Sequence, residues 1–235
     1  MMLRRQFLRQ SAGLVIGMGM VGAGNKTAGA GTGDLRFEVF RNGSEIGYHV
    51  LSFNQDGERL TVDIDIELRV RFAFVTAYRY EHRNREQWEA NQLLGFKSRT
   101  NDNGTRHRVE AERADGQLVV RGSEGKLDLP LSMLPTTYWH RNFMERTSWI
   151  DTQNGKVVES RVNARGSERI EAAGEMVEAE RFEVRGDLDV DLWYHDDRWV
   201  KLGFAASDGS RIDYRLTNAE AYRFLSFRPG ETSST

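Results

Sequence analysis

From Val62 to Phe74 every second residue is apolar. Val62, Ile64, Ile66, Leu68, Val70, Phe72 and Phe74 share one parity, and Asp63, Asp65, Glu67, Arg69 and Arg71 hold the other. A period of two places the two sets on opposite faces of a β-strand, one face core and the other in water. The same alternation sets Val184, Leu188, Val190 and Leu192 against Arg185, Asp187, Asp189 and Asp191, and on a shorter segment Val119 against Arg121. Each run reads as one strand.

Turn chemistry punctuates these runs. Asn42-Gly43, Asp56-Gly57, Asn103-Gly104, Asp115-Gly116, Asn154-Gly155 and Asp208-Gly209 lie between apolar segments, and such pairs accept the positive φ angles of two-residue hairpins. Gly174-Glu175 and His195-Asp196-Asp197-Arg198 supply two further turns. The count is about a dozen strands, enough to close or nearly close a barrel.

One stretch breaks the pattern. From Leu134 to Met144 a proline and a capping threonine precede mixed residues, which reads as a short helix or an irregular crossover. It separates a meander over about 34–130 from a second over about 146–218. The expected fold is therefore all-β. One antiparallel domain over 31–228 forms a barrel, half-barrel or strongly curved sheet with one short helical crossover, followed by a frayed polar tail at 229–235.

The first thirty residues follow other rules. Leu3-Arg4-Arg5-Gln6-Phe7-Leu8-Arg9 looks like a twin-arginine export motif, and the uncharged stretch Ala12–Val21 is too short to span a bilayer. Ala28-Gly29-Ala30 supplies a small-x-small cleavage pattern, so cleavage is expected after Ala30 and the mature chain is expected in the periplasm without a transmembrane segment. The implied partners during export are the twin-arginine translocase and signal peptidase. Gly17-Met18-Gly19-Met20-Val21-Gly22 satisfies a dinucleotide-binding pattern, but no strand precedes it and no βαβ unit follows.

Composition narrows the chemistry. Loss of residues 1–30, with Arg4, Arg5, Arg9 and Lys26 and no acid, takes the formal charge from −2 to −6, which disfavours nucleic acid as a partner. With no cysteine there are no disulfides, thiolate metal sites or cysteine nucleophile. His49, His82, His107, His140 and His195 are scattered without ligand spacing, so no metal site and no cofactor is expected. Gly122-Ser123-Glu124-Gly125 lacks the first glycine and the context of a nucleophile elbow, and no catalytic residue is assigned.

The segment richest in chemistry runs from Thr76 to Trp88. If the strand register continues from Phe74, then Tyr78, Tyr80, His82, Asn84, Glu86 and Trp88 face inward, the aromatic lining with polar tips that a ligand cavity requires. The alternative is a bulge or overrun that leaves them on a solvated rim. Trp139 joins Tyr78, Tyr80, His82, Glu86 and Trp88 as a ligand-binding candidate. Asp187, Asp189 and Asp191, about 6.8 Å apart along a straight strand, are too widely spaced to surround one calcium ion.

Gly47 after a first hairpin, the Thr100-Asn101-Asp102-Asn103-Gly104 turn, the Pro135 to Trp139 crossover and Leu192-Trp193-Tyr194 together resemble an uncharacterised family of exported proteobacterial β domains. The resemblance spans 34–218 and implies a fold without a reaction. A more distant likeness is to half-barrel lipid carriers of the envelope. The leading functional expectation is a periplasmic, non-enzymatic binding or carrier protein for a hydrophobic or amphipathic, lipid-like small molecule. The alternatives are an envelope hydrolase or isomerase using His82 with Glu86, and a structural or partner-binding envelope protein.

Overall fold

The computed structural model describes residues 33–72 and 75–223, so the segments expected to be an export signal and a polar tail lie outside the described residues. Fourteen strands follow one another. They are β1 (Gly33–Arg41), β2 (Ser44–Asp56), β3 (Arg59–Phe72), β4 (Val75–Glu89), β5 (Gln92–Asp102), β6 (Thr105–Ala114) and β7 (Gln117–Gly122), then β8 (Gly125–Leu129), β9 (Ser148–Ile150), β10 (Val157–Ala172), β11 (Glu175–Gly186), β12 (Val190–His195), β13 (Arg198–Ala205) and β14 (Arg211–Ala219). All belong to one sheet in the order β8-β7-β6-β5-β4-β3-β2-β1-β14-β13-β12-β11-β10-β9, and every strand pairing is antiparallel. The fold is an all-β meander whose first strand sits in the middle, with edges at β8 and β9.

Two long alternating runs prove to be hairpins. β3 and β4 pair from Arg59↔Glu89 to Phe72↔Val75, so the chain reverses between Phe72 and Val75 where the sequence pattern suggests one continuous strand. Inward parity survives the reversal because Val70 faces Tyr78 and Leu68 faces Tyr80. The 184–192 run likewise splits, with Val184 opposite Val190. Asp187 and Asp189 therefore lie in the β11–β12 connection and only Asp191 is on a strand. A pattern of period two carries no mark of where a tight reversal falls.

The turns follow backbone sterics. Asn42-Gly43, Asn103-Gly104 and Asp115-Gly116 have positive φ at both positions, as two-residue hairpins require. The β2–β3 turn sits one residue later than the sequence suggests, at Gly57-Glu58, and the β10–β11 turn one earlier, at Ala173-Gly174. Asn154-Gly155 lies in the connection of the β9–β10 hairpin but does not make a two-residue turn. It belongs to the loop 151–156 between β9 and β10, whose Thr152, Gln153 and Asn154 are buried.

That loop and the crossover close the gap between the sheet edges. Leu134 and Thr136 exchange backbone hydrogen bonds with Ile150 (2.9 and 3.0 Å) along the free side of β9. Across the seam the Ser123 N–H donates to the Asn154 carbonyl at 2.8 Å. A Cβ on Gly122 would lie 2.4 Å from that same carbonyl oxygen, and one on Gly155 would lie 2.9 Å from Gly122 Cα, so two glycines permit a backbone approach that side chains would prevent. The crossover's only helical feature is a five-residue 3-10 turn, Arg141–Glu145.

The core lines the inner face. Phe37, Leu51, Val62 and Leu68 meet Trp139, Phe143 and Trp149 from the crossover and β9 in one continuous cluster. Removing such area from water stabilises a fold by roughly 25 cal/mol per Å². Outward positions carry charge instead, including the cross-strand pair Arg85–Asp63 at 2.6 Å.

Candidate functional site

β4 is the spine of the interior. Tyr78, Tyr80, His82, Asn84, Glu86 and Trp88 are all at least 97% buried, so the solvated-rim alternative for this stretch does not apply. Alternation sends all six inward, and burial obliges each polar tip to find a partner.

Those partners divide the strand into two sites. At the lower end Glu86, with no exposed surface, accepts hydrogen bonds from the indoles of Trp88 (3.0 Å) and Trp139 (2.9 Å) and from the Asn84 amide (2.9 Å), with Thr137 as a further partner. Burial outweighs these donors and pushes the carboxyl up to about 7. Trp88 stacks on His140 at 5.0 Å and meets Trp139 edge-on at 5.1 Å. The crossover thus fills this end with its own side chains.

Further along the strand the loop 151–156 enters the barrel. His82 Nδ1 lies 2.8 Å from Thr100 Oγ1 and its Nε2 lies 3.4 Å from Thr152 Oγ1. Ser98 donates to the Thr152 carbonyl (2.5 Å), and the Gln153 amide joins Tyr80 (3.4 Å) to Asp102 (3.3 Å). Asp102 also accepts from Tyr78 at 2.7 Å. Burial holds the Asp102 and Asp151 carboxyls above the usual range.

Beside this network lies a cavity of about 90 Å³ with an opening at the β11–β12 connection. His49, Tyr80, His82, Tyr138 and Tyr214 form its polar and aromatic wall, and Ile64, Ile66, Leu202 and Phe204 its apolar wall. His49 is 95% buried, and its Nε2 has no hydrogen-bond partner. Burial, with His82 nearby, pushes His49 down to about 3, and burial alone pushes His82 to about 4, so both imidazoles are neutral at physiological pH. Tyr138 is held at φ +57, a left-handed conformation that is costly for an aromatic residue.

Of the six sequence candidates, Tyr80 and His82 line the cavity; Tyr78, Glu86, Trp88 and Trp139 do not. Tyr78 is tied to Asp102, and the other three form the Glu86 cluster. His82 and Glu86 bond to separate partners, and four residues of extended chain hold their Cα atoms about 13 Å apart. His49, Tyr138, Tyr214 and the loop 151–153 are the residues that sequence reasoning missed. Register brings His49, His82 and His107 into one row through Ile66 and Thr100, yet among the described residues no cluster of metal-ligating side chains forms.

Comparison with known proteins adds a family and a fold. The family described as Domain of unknown function (DUF6134) matches residues 37–217. The crystal structure of a beta-barrel-like protein of domain of unknown function DUF1849 from Brucella abortus superposes with a TM-score of 0.56 at 13% identity, covering 78% of this chain and 94% of that one. At that identity the likeness concerns the fold alone. No curated protein matches the sequence.

Proposed function

This chain belongs to the DUF6134 family, and from that premise, which brings no reaction with it, we propose that it is a non-enzymatic binding or carrier protein for a compact amphipathic ligand. The carrying observation is the cavity beside His49 and His82, where an apolar wall faces an aromatic and polar one that includes the unsatisfied His49 Nε2. Convergent polar groups in an otherwise apolar pocket are the usual form of a small-molecule site. A buried imidazole nitrogen without a partner loses about 1–3 kcal/mol, which a bound hydrogen-bonding group would restore.

Size sets the ligand class. A volume of about 90 Å³ is well below the roughly 300–1,000 Å³ of pockets for drug-sized ligands. That size favours a small molecule over a whole lipid. Export supplies the setting of the proposal: Arg4-Arg5 and the Ala28-Gly29-Ala30 site favour a periplasmic protein delivered by the twin-arginine translocase and trimmed by signal peptidase.

Native mass spectrometry of the full chain, purified from its host envelope without denaturation, tests the reading. It is expected to show a retained small molecule that disappears in Ile66→Trp, which fills the cavity. A chain that carries no such mass, and whose thermal midpoint rises in Ile66→Trp, overturns the proposal by showing that the space is a packing defect.

A further inference from the structure

The charged side chains that line the cavity are acidic, with Arg185 beside them at Asp189. Asp151, Asp187 and Asp189 line it, and no lysine or arginine does. Asp151 is half-buried, its carboxylate accepting from the Gln153 N–H (2.8 Å) and the Asn154 amide (2.6 Å). At the mouth, Asp187 accepts from the Glu159 N–H at 3.1 Å and Asp189 lies 3.5 Å from the Arg185 guanidinium. These contacts fix the carboxylates in place, and each ionised carboxylate has about four acceptor positions in total. His49 lines the same cavity, neutral and with no hydrogen-bond partner at Nε2.

Resting on the compact-ligand reading, we infer that the cavity selects a small alkyl or aryl ammonium compound: an apolar body against Ile64, Ile66 and Leu202 with its cationic end toward Asp189 and Asp187. Three features of the wall agree. The carboxylates complement a positive charge and repel fatty acids, phosphates and other anions. Tyr80, Tyr138 and Tyr214 line the same cavity, and an aromatic ring beside a cation is worth about 0.5–2 kcal/mol. His49 presents a neutral ring nitrogen, able to accept from an ammonium N–H.

Isothermal titration of the purified full chain with butylamine, 1-butanol and butyrate, three probes of equal chain length, tests the inference. Butylamine is expected to bind about tenfold tighter than butanol, the equivalent of about 1.4 kcal/mol, with butyrate weakest. Asp189→Asn is expected to bring amine and alcohol within about twofold. Arg185 keeps Asp191 at 2.5 Å in that variant, so the connection stays anchored, and Asp187→Asn provides an independent second substitution. Butanol or butyrate binding as tightly as butylamine overturns the cationic preference while leaving the compact-ligand reading intact. An amine preference unchanged in both aspartate variants assigns it elsewhere and overturns the site. Failure of all three probes, together with ligand-free protein in the mass spectrum, overturns both readings.

Discussion

Glu86 is a carboxyl group that the fold surrounds with donors and still holds partly protonated near neutrality, because removal from water costs it more than the hydrogen bonds return. Two substitutions separate its charge from its shape. Glu86→Ala leaves two indole N–H groups, an amide and a hydroxyl without their acceptor, and a loss of about 3–5 kcal/mol is expected in urea denaturation. Glu86→Gln mimics the neutral acid and can donate to Asn84 Oδ1, which has no partner, once that amide rotates; a loss below about 1 kcal/mol is expected.

The pH dependence distinguishes them further. Glu86 titrates near 7 when folded against 4.5 when unfolded, so its stabilisation is fully present below pH 4.5 and is lost as pH rises through 7. The buried histidines His49, His82 and His140, pushed down to about 3, 4 and 4, act oppositely: their contribution is present above pH 6.5 and is lost as pH falls toward 4. Glu86→Gln removes only the first effect. Between pH 5 and 7 the variant should gain about 2 kcal/mol more stability than the parent; parallel pH profiles would show that Glu86 is ionised throughout. The burial of this residue was readable from parity on β4, but its partners were not, since Trp139 lies 53 positions away and no local pattern joins them.

At the scale of elements, glycines record where backbones meet. Gly47 has φ +148, and a Cβ there would stand 1.9 Å from the Glu67 carbonyl oxygen of β3. Gly57 also has positive φ, but nothing lies within 4 Å of its Cβ position. Gly47→Ala should therefore lower stability by about 3 kcal/mol or more and Gly57→Ala by about 1 kcal/mol. Thermal melts of the pair check the order, and equal losses would mean that φ strain alone matters. Gly47 was legible as a feature of the resemblance, and its reason is this contact. Other elements were misread for physical causes. Ala90-Asn91 turns β4 into β5 with φ 46 and 61, although alanine gives no turn signal; the flanking ladder imposes the conformation. The hairpins at 72–75 and 186–189 were hidden because apolar alternation ran on across them.

In the whole molecule, the antiparallel order was legible because the hairpins are local, and the strand number fell short of fourteen where two of them were hidden. The site was not legible, because it depends on segments that travel farthest: the crossover from β8 to β9 and the loop that β9 delivers into the interior. The first and last strands are neighbours, with Leu35 opposite Ala219, which places the described ends side by side. A circular permutant that joins those ends by a short linker and opens at Asp115-Gly116 is expected to keep the β circular-dichroism spectrum and melt within a few degrees of the parent. One opened at Tyr138 should melt far lower, since it cuts the segment that fills the barrel; equal melting of the two would deny the crossover that role.

The central position of β1 also governs when the molecule can be finished. Translation makes this strand first among the fourteen described, yet one of its two partners, β14, is the last of them to be made. Until then Leu35, Phe37 and Val39 belong to a half-built sheet with an open edge and an uncovered apolar face, the kind of surface on which nascent chains aggregate. Completion of the described sheet thus waits for its last strand, and until β14 is made β1 keeps one open edge.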